Sequence, residues 1–149
     1  MSLPYRLAAV RVFTADAERS IRFYEETVGL KLESGSAEDQ YALFDTGATK
    51  LIIEPVDGDD AEDLGLIGRF VGVSFEVADV VEVHRQLEAR GVHFASPPER
   101  QPWGGVLAHF EDPDGNVLTL FQASSPAETP RPRRENQGAS ETERRTLLY

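Results

Sequence analysis

The sequence predicts an α+β protein made of two tandem βαβββ modules, whose mostly antiparallel sheets curl into a cup with the helices outside. Three observations predict it. An Asp–helix–Gly unit occurs twice, from Asp16 to Gly29 and from Asp79 to Gly91, with the aspartates 63 residues apart and the glycines 62. Each unit follows one short alternating strand and is followed by three more. The strands also share one uniformly apolar face, as a half-buried sheet requires.

Taken in order, the first strand runs into Val12-Phe13-Thr14-Ala15-Asp16. Asp16 caps the helix that follows, because a short carboxylate accepts a backbone N–H of the first turn. Ile21, Tyr24 and Val28 recur at helical spacing, and Gly29 stands where a left-handed residue closes a helix. Strand-like runs follow at 30–34, 40–45 and 49–54, the last two joined by Asp45-Thr46-Gly47. The second half repeats the scheme. Phe75-Glu76-Val77-Ala78-Asp79 leads into a helix carrying Val80, Val83 and Leu87, Glu82 completes a capping-box pattern with Asp79, and Gly91 ends it. Its strands fall at 92–95, 105–111 and 116–122, with Asp112-Pro113-Asp114-Gly115-Asn116 as the last turn.

These elements place one domain in residues 1–122, with modules at 5–54 and 70–122 and an acidic linker at 55–69. Residues 123–149 are polar and proline-bearing and cannot bury enough surface to offset their ordering entropy, so they are expected to be disordered or a loosely docked extension. Leu147, Leu148 and Tyr149 are the only anchors at that end.

Composition narrows the function. A chain of 149 residues with 40% apolar content supports one real core. No apolar run reaches membrane-spanning length, and Met1-Ser2-Leu3-Pro4-Tyr5-Arg6 lacks the pattern of a secretion signal. Cysteine is absent, which removes disulfides, thiolate metal sites and cysteine nucleophiles together. A cytoplasmic protein is expected. Residues 1–122 carry 22 acids against 10 bases, and such a body repels phosphates, which argues against nucleic acid as a partner. It suits a cationic small molecule, and equally an ordinary soluble surface.

Val10, Val12, Leu51, Ile53, Val73, Phe75, Val77, Leu118 and Leu120 form the apolar face that belongs under the helices. The opposite face is mixed, with Arg11, Phe13, Ser74, Glu76, Thr119 and Phe121 upon it. Such a face is either solvated or lines a ligand cleft.

The stretch Asp16-Ala17-Glu18-Arg19-Ser20-Ile21-Arg22-Phe23-Tyr24-Glu25-Glu26-Thr27-Val28-Gly29-Leu30 resembles the first-helix signature of the glyoxalase/bleomycin-resistance/extradiol-dioxygenase (vicinal oxygen chelate) superfamily. His109-Phe110-Glu111-Asp112-Pro113-Asp114-Gly115-Asn116 resembles its second-module turn, and Trp103-Gly104-Gly105 is similar to the segment before its seventh strand. The resemblance spans both modules, and it implies the cup and a homodimer. It also implies where metalloenzymes of the group hold His, Gln or Glu, and those positions here are Ala9, Ile52, Gly72 and Thr119. Three offer no side-chain donor and a threonine hydroxyl is a poor ligand for a first-row metal, so no metal and no cofactor are expected. The resemblance then points to the metal-free, bleomycin-resistance-like branch: binding or sequestration of a cationic or aromatic small molecule. The alternative is a glyoxalase-like lyase, isomerase or dioxygenase using His109 and Glu76, with or without a metal held by relocated ligands such as His109, Glu76 and Glu54.

The expected ligand-binding residues are therefore Arg11, Phe13, Ser74, Glu76, Trp103, His109, Thr119 and Phe121, with His109 and Glu76 as catalytic candidates. Each has a structural counterpart. His109 serves as base, ligand contact or wall residue. Glu76 meets a ligand cation or pairs with Arg11, and Lys50 with Glu54 reads as an edge-strand ion pair. Phe13, Trp103 and Phe121 line a site for a flat or cationic ligand or fill a dimer core. The six acids between Glu54 and Asp63 form a solvated hinge or a cation-steering rim.

Overall fold

Alternation places Val12, Leu51 and Ile53 on one side of their strands, and in the computed structural model, which describes residues 3–124, these side chains are almost wholly buried. The expectation for the tail falls, beyond Ser124, outside the described residues. The chain forms two compact units: residues up to Val71 together with Asp112–Asn116, and Gly72–Glu111 together with the chain from Val117. Secondary structure is mixed α+β, with two open, mostly antiparallel sheets. No helix among the described residues is long and apolar enough to cross a membrane.

In the first unit β1 (Ala9–Thr14) leads to α1 (Ala17–Arg22), then β2 (Lys31–Ser36), β3 (Tyr41–Asp45) and β4 (Lys50–Pro55). The sheet order is β1-β4-β3-β2, parallel between β1 and β4 and antiparallel elsewhere. Asp16 caps α1 by accepting from Arg19 N, and Gly29 closes the helix at φ +88°. Where the spacing reads as one α-helix, Phe23–Val28 is wound as a π-helix, with Phe23 N–H shared between the carbonyls of Arg19 and Ser20. Apolar positions three and four apart fit either winding, so the periodicity cannot tell them apart. Val12, Ala42, Phe44, Leu51 and Ile53 bury one sheet face beneath Ile21 and Tyr24, each large side chain worth about 1.5–3 kcal/mol. The linker expected at 55–69 contains a short helix, α2 (Ala61–Leu64), capped by the Asp60 carboxylate.

The turn Asp112–Asn116 groups with this unit through a buried network. Tyr24 Oη donates to Asp112 Oδ2 at 2.7 Å, and Asn116 Nδ2 donates to the same oxygen at 2.9 Å and to the Phe13 carbonyl at 2.8 Å. Asn116 Oδ1 accepts from Gly68 N, and Asp114 Oδ1 from Ala15 N. Burial raises the Asp112 carboxyl above its ordinary pKa, and the donors from Asn116 and Tyr24 oppose that.

The second unit holds most of β5 (Phe70–Glu76), then α3 (Val80–Ala89), β6 (His93–Phe94), β7 (Glu99–Arg100), β8 (Val106–Glu111) and β9 (Val117–Gln122). The order is β5-β9-β8-β6, with β7 also pairing β8. Asp79 caps α3 through Glu82 N, while the Glu82 carboxylate turns to Arg85 and Gln86, which holds its pKa down at about 2. The strand expected at 92–95 is only two residues long, and β7 is an addition to the expected set. Pro97, Pro98 and Pro102 surround it, and so short a polar pair has no alternation to read. Val80, Leu87, Ala108, Phe110, Leu118 and Leu120 form the core, with Phe110 between Phe75 and Phe94 at ring distances of 6.4 and 6.0 Å.

Candidate functional site

Strand partners directly opposite one another share a face, so register alone assembles one side of the second sheet. Glu99 opposes Leu107, Leu107 opposes Phe121, and His109 opposes Thr119. The other side carries the buried Ala108, Phe110, Leu118 and Leu120. On β5, Phe75 stacks on Phe110, which sends its neighbours Ser74 and Glu76 to the side of His109, and both are exposed. Val77 N donates to Phe121 O at 2.8 Å, tying β5 to β9 beside these residues.

Trp103 lies over this face at one end, tilted against Phe121 with ring centres 5.6 Å apart. The loop holding it is closed by Gln101 N to Gly105 O at 2.8 Å and Gly104 N to Gln101 O at 2.9 Å. The indole rests on Gly105 so closely that a Cβ there would lie 1.8 Å from ring atom Cζ3. His109 Nδ1 and Thr119 Oγ1 share a hydrogen bond of 2.8 Å. Partial burial lowers the His109 pKa, and the Glu99 charge pulls it the other way. The lowered pKa favours the neutral imidazole, whose Nδ1 is engaged by the Thr119 hydroxyl. The face offers an aromatic pair, a neutral imidazole and the carboxylates of Glu76 and Glu99.

Six of the expected site residues, Ser74, Glu76, Trp103, His109, Thr119 and Phe121, belong to this unit; Arg11 and Phe13 belong to the other. There the Arg11 guanidinium meets Glu54 Oε2 at 2.5 Å and lies 5.2 Å from the centre of the Phe13 ring. Parallel pairing sets Arg11 opposite Ile52 and Phe13 opposite Glu54, so Arg11 reaches Glu54 diagonally. This corrects the Lys50–Glu54 pair read from the sequence, since Glu54 meets Arg11. Lys50 and Glu54 stand four residues apart on one strand, roughly 13 Å, beyond contact. Lys50 instead meets Glu33 at 3.0 Å and Asp45 at 3.1 Å.

The donor set does not fit the metal that the fold's enzymes hold. Ala9 and Ile52 in the first unit and Gly72 in the second carry no donor, and the Thr119 hydroxyl is engaged with His109. Glu54 is engaged by Arg11, and among the described residues no group of three or more His, Asp or Glu side chains could hold an ion.

Sequence reasoning misses Glu99, Leu107 and Gln101. Glu99 joins the face only because β7 pairs with β8, and a proline-flanked stretch gives no sign of that pairing, whereas Leu107 shares the side of His109 on β8 and stands opposite Phe121. Gln101 is 6% exposed although its sequence setting reads as a surface loop.

A sequence profile of the Glyoxalase/Bleomycin resistance protein/Dioxygenase superfamily matches residues 6–120. The protein YraH of Bacillus subtilis is 30% identical over 125 residues, covering 78% of this chain and 98% of its own. A bleomycin resistance protein of Klebsiella pneumoniae is 39% identical over 51 residues, 30% of this chain and 40% of its own. Among solved structures, the antibiotic-binding protein TnmS3 of Streptomyces sp. CB03234 superposes with a TM-score of 0.66 at 30% identity, covering 83% of this chain and all of its own.

Proposed function

Because the chain belongs to the glyoxalase/bleomycin resistance protein/dioxygenase superfamily, and because its second sheet presents an aromatic pair beside carboxylates, we propose that it binds and sequesters a planar aromatic small molecule without a metal. The observation that carries this reading is the Trp103–Phe121 pair on the face of His109, Thr119, Ser74 and Glu76. Aromatic faces stack on flat ligands and attract cations, and Glu76, Glu99 and a net charge of −11 favour a positively charged one. The likeness to an antibiotic-binding protein and to a bleomycin resistance protein supports the same class of ligand. Action as a cytoplasmic homodimer belongs to the proposal. Leu3, Tyr5 and Leu7, exposed at 57%, 86% and 68%, are an apolar strip that a second copy would cover, and sedimentation giving only monomer at micromolar concentration would count against it.

The sequence holds one tryptophan, so intrinsic fluorescence reports on Trp103 directly. Titration of metal-stripped protein with bleomycin and with cationic planar dyes should give saturable quenching by at least one compound, recovered unchanged by mass spectrometry. Trp103→Ala should abolish binding, read by the fluorescence of the dyes themselves, without unfolding the chain. Absence of quenching across the panel, together with native mass spectra free of any co-purified compound, would sink the reading. A second reading, proton transfer by His109, is supported by the place of its imidazole on this face, hydrogen-bonded to Thr119. Recovery of a chemically altered compound, with His109→Gln restoring the unaltered one, would favour it.

A further inference from the structure

Two buried polar atoms on the Trp103 loop have no partner among the described residues: the Trp103 indole Nε1–H, a donor, and Gln101 Oε1, an acceptor. They are two residues apart on a loop whose own hydrogen bonds, Gln101 N to Gly105 O and Gly104 N to Gln101 O, hold its ends together. The orientation of the Gln101 amide is fixed. Its Nε2 donates to the Glu99 carbonyl at 3.1 Å, so a flipped amide would set oxygen against oxygen. Gln101 directly follows β7, and its N–H to Gly105 O extends the β7–β8 pairing by one step. A side chain only 6% exposed with an unmet acceptor, two residues from a buried indole N–H that is also unmet, is uncommon in a folded interior.

Resting on the aromatic-binding reading above, we propose that Gln101 and Trp103 form a gated recognition pair for a ligand bearing an amide edge: a carbonyl to accept from Trp103 Nε1–H and an N–H to donate to Gln101 Oε1. In the arrangement seen, both atoms are shut off from water, and the indole lies over Phe121 where a flat ligand would stack. On this proposal the ligand displaces the indole from Phe121 and so reaches both atoms. The loop is suited to this, since Gly104 sits at φ +96° and Gly105 offers bare backbone beneath the ring. A planar amide, lactam or imide then takes over the stacking on Phe121 and satisfies the donor and acceptor together. An ester or ketone of the same shape leaves Gln101 Oε1 unmet, and that difference is the source of specificity.

The test is the single indole N–H resonance of the 15N-labelled full chain, titrated with benzamide and with methyl benzoate, which has a comparable ring and carbonyl but no N–H. Benzamide should move the signal downfield to saturation and bind about tenfold more tightly, the ratio given by one net hydrogen bond. Gln101→Met should bring the two probes to equal affinity while methyl benzoate binds as it does to the natural chain, which also shows that the variant is folded. Equal affinities in the natural chain, or a preference that survives Gln101→Met, overturn the recognition pair and leave the aromatic reading standing. If neither probe perturbs the signal at any concentration, the recognition pair falls, while the aromatic reading stands or falls with the bleomycin and dye titrations above.

Discussion

Tyr24→Phe is the most direct perturbation of the buried network that holds the Asp112–Asn116 turn. Tyr24 is 0% exposed, and its hydroxyl donates to Asp112 Oδ2 at 2.7 Å. Phenylalanine keeps the ring and its contact with Phe44, so almost no cavity is made and the change isolates one hydrogen bond to a carboxylate. Asp112 retains Asn116 N at 3.0 Å, Asn116 Nδ2 at 2.9 Å and Asp114 N at 2.9 Å. With those donors left, the loss falls within the range for a hydrogen bond to a charged group, about 2 kcal/mol at pH 7. For a chain of this size that is roughly 4–8 °C in melting temperature. The pH dependence has a definite sign. A carboxyl whose pKa is raised by folding holds its proton better in the folded state, so its contribution is present at acid pH and is lost as pH rises through the folded pKa. Removing the Tyr24 hydroxyl takes away a donor to the ionised form and raises that pKa further, so the variant should lose more at pH 7 than at pH 4. Urea unfolding of both proteins at the two pH values measures this. A loss under about 0.5 kcal/mol, or one equal at both pH values, would refute the account of Asp112 as an ionised, donor-supported carboxylate.

Gly35→Ala should cost about 2 kcal/mol or more, because Gly35 has φ +92° and an added Cβ would lie 2.3 Å from the Tyr41 carbonyl oxygen; a melt unchanged within a degree would contradict this. Glu99→Gln should lower the His109 titration midpoint further, since the Glu99 charge opposes the effect of burial, and an unchanged midpoint by NMR would remove Glu99 from the face. The depressed His109 pKa also means that its contribution to stability is full above its unfolded pKa and is lost as pH falls through the folded value, so His109→Gln should flatten the fall in melting temperature from pH 7 to pH 5. Purified protein should contain well under one equivalent of zinc, nickel, manganese or iron, and chelation should leave its melting point unchanged; stoichiometric metal whose removal lowers stability would overturn the metal-free proposal.

Much of the fold is written locally. Asp16 and Asp79 cap helices because a short carboxylate reaches the third N–H onward, and Gly29 and Gly91 close them, both at φ +88°, because only glycine takes that conformation without strain. Strand alternation likewise picks out Val12, Leu51, Ile53, Leu118 and Leu120 as core. Each of these depends on residues within one or two turns of one another, which is the range over which a sequence pattern carries information.

What the sequence by itself determined is therefore the two-module α+β plan, the sidedness of its strands, and the absence of ligand-forming side chains at Ala9, Ile52 and Gly72. Tertiary structure alone decided the rest. Parallel pairing of β1 with β4 gives Arg11 to Glu54, pairing of β7 with β8 brings Glu99 to the face of His109, and the loop that seats the Trp103 indole against Gly105 leaves its buried N–H without a partner among the described residues. The physical reason is the same in each case. Residue types and their spacing fix which way a side chain leaves its own strand, but the partner it meets depends on strand register set by packing of the whole sheet, and that register has no local signature.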